Sequence, residues 1–381
     1  MASFVTPARI VFGSGSLSEL GHIGAGLGCR RAFLVCDPAL PELGITQRAR
    51  ELLERCGLAV DVFVGLSPNP TLSTIERSID TARDFGGDLV VGVGGGSALD
   101  VAKGTALGAR ASVELRALLH GETQPPATLP KILIPTTAGS GSEVSQAIVV
   151  IDEITGRKTG LHIPALLADV AIIDPSLALS MPSEVTVDTG IDAFSHAVEA
   201  YLAANASLLS DSVALQACSL VWRHLPRAYL VGDDLEAREA MAAASLMAGL
   251  AFTWAGLGAV HALAYPLSLG RGLSHGRANA VMLPHVLAFN LVAVPQKAEG
   301  LAGALGLTAC PAASLSETLV DAVSRFVTRL GVSVRLRDHG VDPSALAQMA
   351  SDAIAGGARL LATNPREVTH ADAVAILRSA W

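Results

Sequence analysis

The stretch GAVHALAYPLSLGRGLSHG, residues 258–276, sets His261 in an apolar helix-like run and His275 in the glycine-bearing loop that follows. A single imidazole in such surroundings is commonly a hydrogen-bonded core residue. A second pair of ligand-type residues shifts that balance. GIDAFSHAVEAY, residues 190–201, places Asp192 and His196 four positions apart, so both project from one face of a predicted helix. A surface ion pair explains that spacing as simply, but together the four residues offer one carboxylate and three imidazoles. That donor set suits Fe(II) or Zn(II).

A second chemistry gathers in the first half of the chain. VGVGGGSALDVAKG, residues 91–104, puts Gly94, Gly95, Gly96 and Ser97 between a strand and a helix. Glycines there let backbone N–H groups approach a pyrophosphate at a helix N-terminus, although a plain tight turn uses them too. IPTTAGSGSEVS, residues 134–145, brings Thr136, Thr137, Ser140 and Ser142 to another strand end, as ligand hydroxyls or, for Ser142, as a helix cap. Asp37 closes the first core strand. It can bond ribose hydroxyls and disfavour a 2′-phosphate, pointing to NAD, or serve as an ordinary turn aspartate before Pro38. GAGLGC at residues 24–29 precedes its strand and reads as a loop.

Elements of two kinds must position these groups. Short β-branched runs at 32–36, 60–64, 88–94, 131–136, 147–152 and 169–174 read as strands, the first four separated by amphipathic stretches. The pattern predicts a doubly wound, mostly parallel sheet, with polar residues collected at its carboxyl edge. From Pro182 onward the spacing is helical to Trp381. We therefore expect an α/β dinucleotide-binding domain over 1–182, an all-helical metal-binding domain over 183–381, and a cleft between them.

Composition bounds the rest. Half of the 381 residues are hydrophobic and 16% are charged, which excludes disorder and supports a large core. A net charge of −8 without a basic stripe argues against nucleic acid. No apolar run reaches the roughly 18 residues of a membrane span, and no secretory leader is visible, so a cytoplasmic enzyme is expected. The five cysteines, Cys29, Cys36, Cys56, Cys218 and Cys310, show no disulfide framework and read as reduced thiols.

Several motifs together resemble the iron-containing (group III) alcohol dehydrogenase family over nearly the whole chain: FGSGSLSELG (12–21), GGGSALDVAK (94–103), PTTAGSGSEV (135–144), TGIDAFSHAVEAY (189–201), and HALAYPLS with LSHGRANAVMLPHV (261–286). The resemblance implies a Rossmann-like coenzyme domain followed by a helical domain, the architecture shared with dehydroquinate synthase. It implies metal ligation by Asp192, His196, His261 and His275, and coenzyme contacts at Asp37, Asn69, Gly95, Gly96, Ser97, Thr136, Thr137, Ser140 and Lys158, with Asp100 at the edge of that site. His285 matches a structural histidine, and a homodimer is the implied assembly.

One position departs from the family. Tyr265 stands where a histidine usually helps relay the proton, and a free tyrosine, with pKa about 10, is a poor base near neutrality. Phe252, Trp254 and Leu257 are candidate pocket walls or core residues. Arg271 and Arg277 are candidates for an anionic group on the substrate, or simply solvated charges. The expected reaction is NAD(H)-linked interconversion of a small primary alcohol and its aldehyde. Alternatives are a dehydroquinate-synthase-type lyase, a maleylacetate-reductase-like enzyme and a hydroxyacid-oxoacid transhydrogenase-like enzyme.

Overall fold

The structure, a computed structural model, describes residues 3–66, 69–110, 115–119, 127–270, 272–308 and 314–381, with Arg157 in backbone only. Arg271 and Cys310 lie outside the described residues. The chain forms two compact units, Thr6–Ser180 and Met181–Trp381, the latter taking in a short N-terminal segment that ends at Val5.

The first unit holds strands β1 (Arg9–Phe12), β2 (Arg31–Cys36), β3 (Ala59–Phe63), β4 (Leu89–Gly94), β5 (Lys131–Pro135), β6 (Ala147–Asp152), β7 (Arg157–His162) and β8 (Val170–Ile173). Its helices are α1 (Leu20–Gly26), α2 (Ile45–Arg55), α3 (Leu72–Phe85), α4 (Gly96–Ala109) and α5 (Leu115–Leu119). Six strands make one sheet in the order β1-β8-β5-β4-β2-β3, every neighbouring pair parallel. Phe33, Val35, Val90 and Leu133 enter one apolar layer, whereas Leu34, Val91, Val93, Ile132 and Ile134 enter the other. Both faces are buried, so the central strands read as near-continuous apolar runs. After β3 the chain returns to the opposite side of β2 with β4. That reversal makes the carboxyl ends of β2 and β4 the switch point where such sheets bind ligands.

The strand at 147–152 has a different place from the other five. It pairs antiparallel with β7 in a separate two-stranded sheet. Its alternating burial, with Ile148, Val150 and Asp152 inside, marks a strand covered on one face only. No strand was expected over 157–162. RKTGLH lacks the apolar run of a central strand, and pairing with β6 organises it instead.

The second unit is helical: α6 (Ser183–Leu202), α7 (Leu208–Leu230), α8 (Leu235–Ala255), α9 (Ala259–Gly270), α10 (His275–Leu291), α11 (Gln296–Leu305), α12 (Leu315–Arg329), α13 (Leu346–Leu361) and α14 (His370–Ala380). Capping boxes at Ser207, Ser314 and Thr369 start α7, α12 and α14. Helix α6 packs against α7, α8 and α10. Its fifteen buried residues explain why its polar side chains need internal partners. No single helix among the described residues is long and apolar enough to cross a membrane, although α8 and α9 meet that test as a pair bent by 111°.

A charged cluster ties α4 to the β6 hairpin inside the first unit. Lys103 is fully buried, and its Nζ donates to Ser145 Oγ (3.1 Å) and to the Ala147 carbonyl (2.7 Å). Asp100 accepts from Ser142 Oγ at 2.6 Å and from the Val149 amide at 2.8 Å. Burial pushes the neighbouring Glu143 carboxyl up to about 7, against its own backbone hydrogen bond and the Lys103 charge. The fold thus binds the Glu143 proton more tightly than the unfolded chain does. Its contribution is fully present below the ordinary glutamate pKa and is lost as pH rises to about 7. Thermal melts of the wild type and Glu143→Gln at pH 5 and pH 8 check this. The wild type should lose more stability than the variant across that interval, and equal losses would contradict it.

Candidate metal centre

Three of the four expected ligands converge. One ligand atom each from Asp192, His261 and His275 lie within 4.8 Å of one another. His261 Nε2 is 3.7 Å and His275 Nε2 is 3.9 Å from Asp192 Oδ1. His196 is one helical turn beyond Asp192, and its ring stacks on that of His261 with centroids 4.6 Å apart. It stands outside the tight three-residue group but acts electrostatically on the same carboxylate. Burial works to raise the Asp192 pKa, yet His196, His275, His261 and the Asn279 amide together hold it below the usual aspartate value.

The surrounding side chains explain why the helices meet here. Glu199 lies on the same α6 face as Asp192 and His196. Its Oε1 accepts from the Val260 amide at 2.7 Å, and its Oε2 accepts from His261 Nδ1. A carboxylate on Nδ1 fixes the ring and leaves the Nε2 lone pair facing Asp192. Helix α10 is held comparably. Asp188, one turn before Asp192, accepts from Ser274 Oγ (2.5 Å) and from Arg277 Nε (3.0 Å). Ser274 in turn caps α10 by accepting from the Arg277 amide. Gly276 permits the approach: a Cβ there would stand 2.0 Å from the Asp188 carbonyl oxygen.

Asn279 sits amid Asp192, His261 and His275 and is fully buried. Its Nδ2 donates to Asp192 Oδ1 (2.7 Å) and lies 3.1 Å from His261 Nε2 and 3.4 Å from His275 Nε2. Its Oδ1 is buried with no hydrogen-bond partner among the described residues. An orphaned oxygen costs about 1–3 kcal/mol, so the cluster holds an unused acceptor. One carboxylate and imidazoles, His261 among them with its Nε2 lone pair oriented by Glu199, fit a divalent transition metal.

Glu199, Asn279 and Asp188 were absent from the sequence-based set. The spacing 188, 192, 196, 199 is one helix face, and Asn279 follows His275 by one turn, so helical periodicity carried a signal for all three.

The remaining candidates of this unit divide. Phe252 packs on His196 with ring centroids 4.7 Å apart, and Tyr265 lies 6.2 Å from the His275 ring. Trp254 instead donates Nε1 to the Val5 carbonyl at 2.9 Å and meets Phe4 edge-on. Arg277 is accounted for by Asp188, without a substrate. His285 lies 2.9 Å from the Val334 carbonyl oxygen and burial lowers its pKa, as suits a structural histidine.

In the first unit, Asp37 follows β2 and its amide donates to the Val93 carbonyl, placing it beside the glycine turn at the switch point. A Cβ on Gly96 would stand 2.9 Å from Ser140 Cβ, and one on Gly95 would stand 3.6 Å from Thr137 Cγ2. The glycine turn and the Thr136–Thr137–Ser140 segment therefore meet, with Ser97 in the first turn of α4. No side chain caps α4, so its first N–H groups are available for an anion. Asn69 takes a left-handed φ of 58°. The next residue, Pro70, accepts from the Ile151 amide, and Ile151 pairs with Lys158, so Asn69 and Lys158 flank β6. Asp100 spends both oxygens on Ser142 and Val149.

A doubly wound sheet with a glycine turn at its switch point, and a carboxylate–imidazole cluster among helices, together define a metal-dependent oxidoreductase. The chain belongs to the iron-containing alcohol dehydrogenase family: residues 7–175 match the iron-containing alcohol dehydrogenase model and residues 186–381 match the model of the family's C-terminal region. It is 40% identical to long-chain-alcohol dehydrogenase 1 of Geobacillus thermodenitrificans, covering 98% of this chain and 97% of the relative. A solved 1,3-propanediol oxidoreductase matches with a TM-score of 0.95 at 35% identity, covering all of both chains. A solved sulfoacetaldehyde reductase from Bifidobacterium kashiwanohense, in complex with NAD+, gives 0.89 at 29% identity, covering 100% of this chain and 98% of that one.

If Glu199 orients His261, its loss weakens metal binding before it alters anything else. Chelator competition with Co(II) or Zn(II) should show Glu199→Ala losing about 10–100-fold in affinity, with Glu199→Gln intermediate. Unchanged affinity in Glu199→Ala would remove that role.

Proposed function

We propose that this chain is a metal-dependent, NAD(H)-linked alcohol dehydrogenase and aldehyde reductase acting on small primary alcohols and aldehydes. The convergence of Asp192, His261 and His275 in one group, the first two buried and His275 partly exposed, carries the reading. These three and His196 would hold the metal, Fe(II) by family and Zn(II) as the alternative. Asp37, Asn69, Gly95, Gly96, Ser97, Asp100, Thr136, Thr137, Ser140 and Lys158 form the proposed coenzyme site. The first unit is thus the coenzyme domain and the second the metal domain, with boundaries near residues 182 and 183.

When bound, the metal supplies Lewis acidity toward the substrate oxygen and NAD(H) supplies or accepts the hydride. The chain's own residues orient and shield. Glu199 holds His261, Asp188 holds the His275 turn, and Phe252 limits water beside His196. Tyr265, next to His275, is the nearby hydroxyl through which a proton can pass. Asp37 at the end of β2 suits ribose hydroxyls and hence NAD over NADP.

The unpaired Cys29, Cys36, Cys56 and Cys218 accord with a reducing compartment, and we place the enzyme in the cytoplasm. A homodimer is proposed too: β1 is an edge strand and its Phe12 is 44% exposed, features that suit pairing with a second copy.

Purified protein should contain close to one divalent metal per chain and oxidise NADH with members of an aldehyde panel. Chelator treatment should abolish turnover and Fe(II) should restore it. His275→Ala should lower kcat/KM by more than about 100-fold, beyond the loss of an outer-partner residue. Turnover without net change in NADH would contradict the dehydrogenase reading, as would full activity after metal removal.

A further inference from the structure

Beyond α13, which ends at Leu361, the chain reads Thr363, Asn364, Pro365 and Arg366, and Pro365 cannot continue a helix. Asn364 is buried, and its amide is fully engaged. Its Oδ1 accepts from the Ala259 amide at 3.1 Å and from Asn290 Nδ2 at 3.0 Å. Its Nδ2 donates to Asn290 Oδ1 at 2.8 Å and to the Arg366 carbonyl at 2.6 Å. Two lone pairs and two N–H groups are all that a primary amide has. A buried network with every member satisfied is rigid and specifies one geometry.

The flanking residues reach the same helix ends. Thr363 Oγ1 donates to the Leu257 carbonyl at 2.6 Å, and the Thr363 carbonyl accepts from the Ala204 amide at 2.9 Å. The Arg366 guanidinium donates to the Phe289 carbonyl at 3.3 Å and covers the Phe289 ring at 3.8 Å from its centroid. Residues 363–366 therefore bind the chain just past α6, the start of α9 and the last turn of α10. Those three helices carry Asp192, His196, His261 and His275.

His261 is the ligand most directly affected, because it is the third residue of α9. The first N–H groups of a helix have no partner within it. Here the Ala259 amide goes to Asn364 and the Val260 amide goes to Glu199 Oε1 at 2.7 Å, while the other Glu199 oxygen accepts from His261 Nδ1. Gly258 admits both acceptors: a Cβ there would stand 2.6 Å from Asn364 Oδ1 and 3.1 Å from Glu199 Oε1. One carboxylate can bridge the Val260 amide and the His261 ring only if the helix start is held in place, and Asn364 holds it from a separate element.

We propose that Asn364, locked by Asn290, is a positioning residue for His261: it fixes the start of α9 so that Glu199 can seat the imidazole for the metal. The proposal rests on the metal-centre reading and assigns it a residue far from the ligands in sequence. A segment that only stabilised the helical unit would weaken every ligand alike, whereas Asn364 acts through one.

Titration of the full chain, stripped of metal, with Co(II) tests it, followed through the visible d–d bands, with thermal melts of the same samples. Asn364→Ala should bind Co(II) about tenfold more weakly, with altered bands. Asn290→Ala should show a smaller loss, because Asn364 keeps its bond to Ala259. Arg366→Ala, whose lost side chain reaches α10 and not α9, should melt lower yet keep the wild-type affinity and bands. In a His261→Ala background, Asn364→Ala should cost less than about a further twofold, since the ligand through which it acts is gone. Three results overturn the proposal: wild-type affinity in Asn364→Ala, an equal loss in Arg366→Ala, or the same loss with and without His261. Should Asn364→Ala fail to fold, Asn290→Ala decides by the same comparisons. A wild type that binds no Co(II) overturns the metal-centre reading, and this proposal with it.

Discussion

Placing a carboxylate and several imidazoles together away from water is costly, because each charged form loses hydration and every polar atom needs a partner. Asp192 meets that cost through the imidazoles around it and the Asn279 amide. The rest of the helical unit follows from the requirement. Helix α6 supplies a single polar face within an otherwise apolar surface, and α9 and α10 are drawn to it at Glu199 and Asp188. Those carboxylates do for the backbone and the caps what a metal does for the ligands: each satisfies donors arriving from a different helix. The result is a carboxylate–imidazole cluster positioned by helices rather than by loops.

The first unit meets a different constraint with different means. Its parallel sheet is buried on both faces, so its open polar groups collect only at strand ends. The reversal of strand order between β2 and β4 concentrates them further, at Asp37 and the glycine turn. Ser140 then reaches the same place because Gly96 carries no side chain to keep it away, and Thr137 lies beside Gly95. At the edge of that opening, Asp100 bonds Ser142 and Val149 while Lys103 bonds Ser145 and Ala147. They fasten α4 to the β6 hairpin that carries Lys158, so the two sides of the proposed coenzyme site share one framework.

Much of this was legible in the amino-acid order. The five core strands after β1 and the helical second half followed from β-branched runs and helical spacing, because burial on both faces or one face leaves those periods in the sequence. The α6 part of the cluster was legible for the same reason: Asp192 and His196 declare a shared face through their spacing. Strand β7 was missed since Arg157, Lys158 and His162 give it no apolar run, and only pairing with β6 makes it a strand. Glu199 and Asp188 looked like ordinary helix-surface acids. Their partners, His261, Val260, Ser274 and Arg277, lie on other helices, and nothing local announces such a meeting. Arg277 shows the converse: its charge was visible, but its assignment depended on a partner 89 positions away.

The capped turn that links Ser274, His275, Gly276 and Arg277 to Asp188 has a practical bearing on redesign. Loops beside an active centre are the natural targets for libraries aimed at new specificity, and 274–277 looks like such a loop. Randomising it would instead unseat a helix start, and inactive clones would then be mistaken for failures of pocket shape.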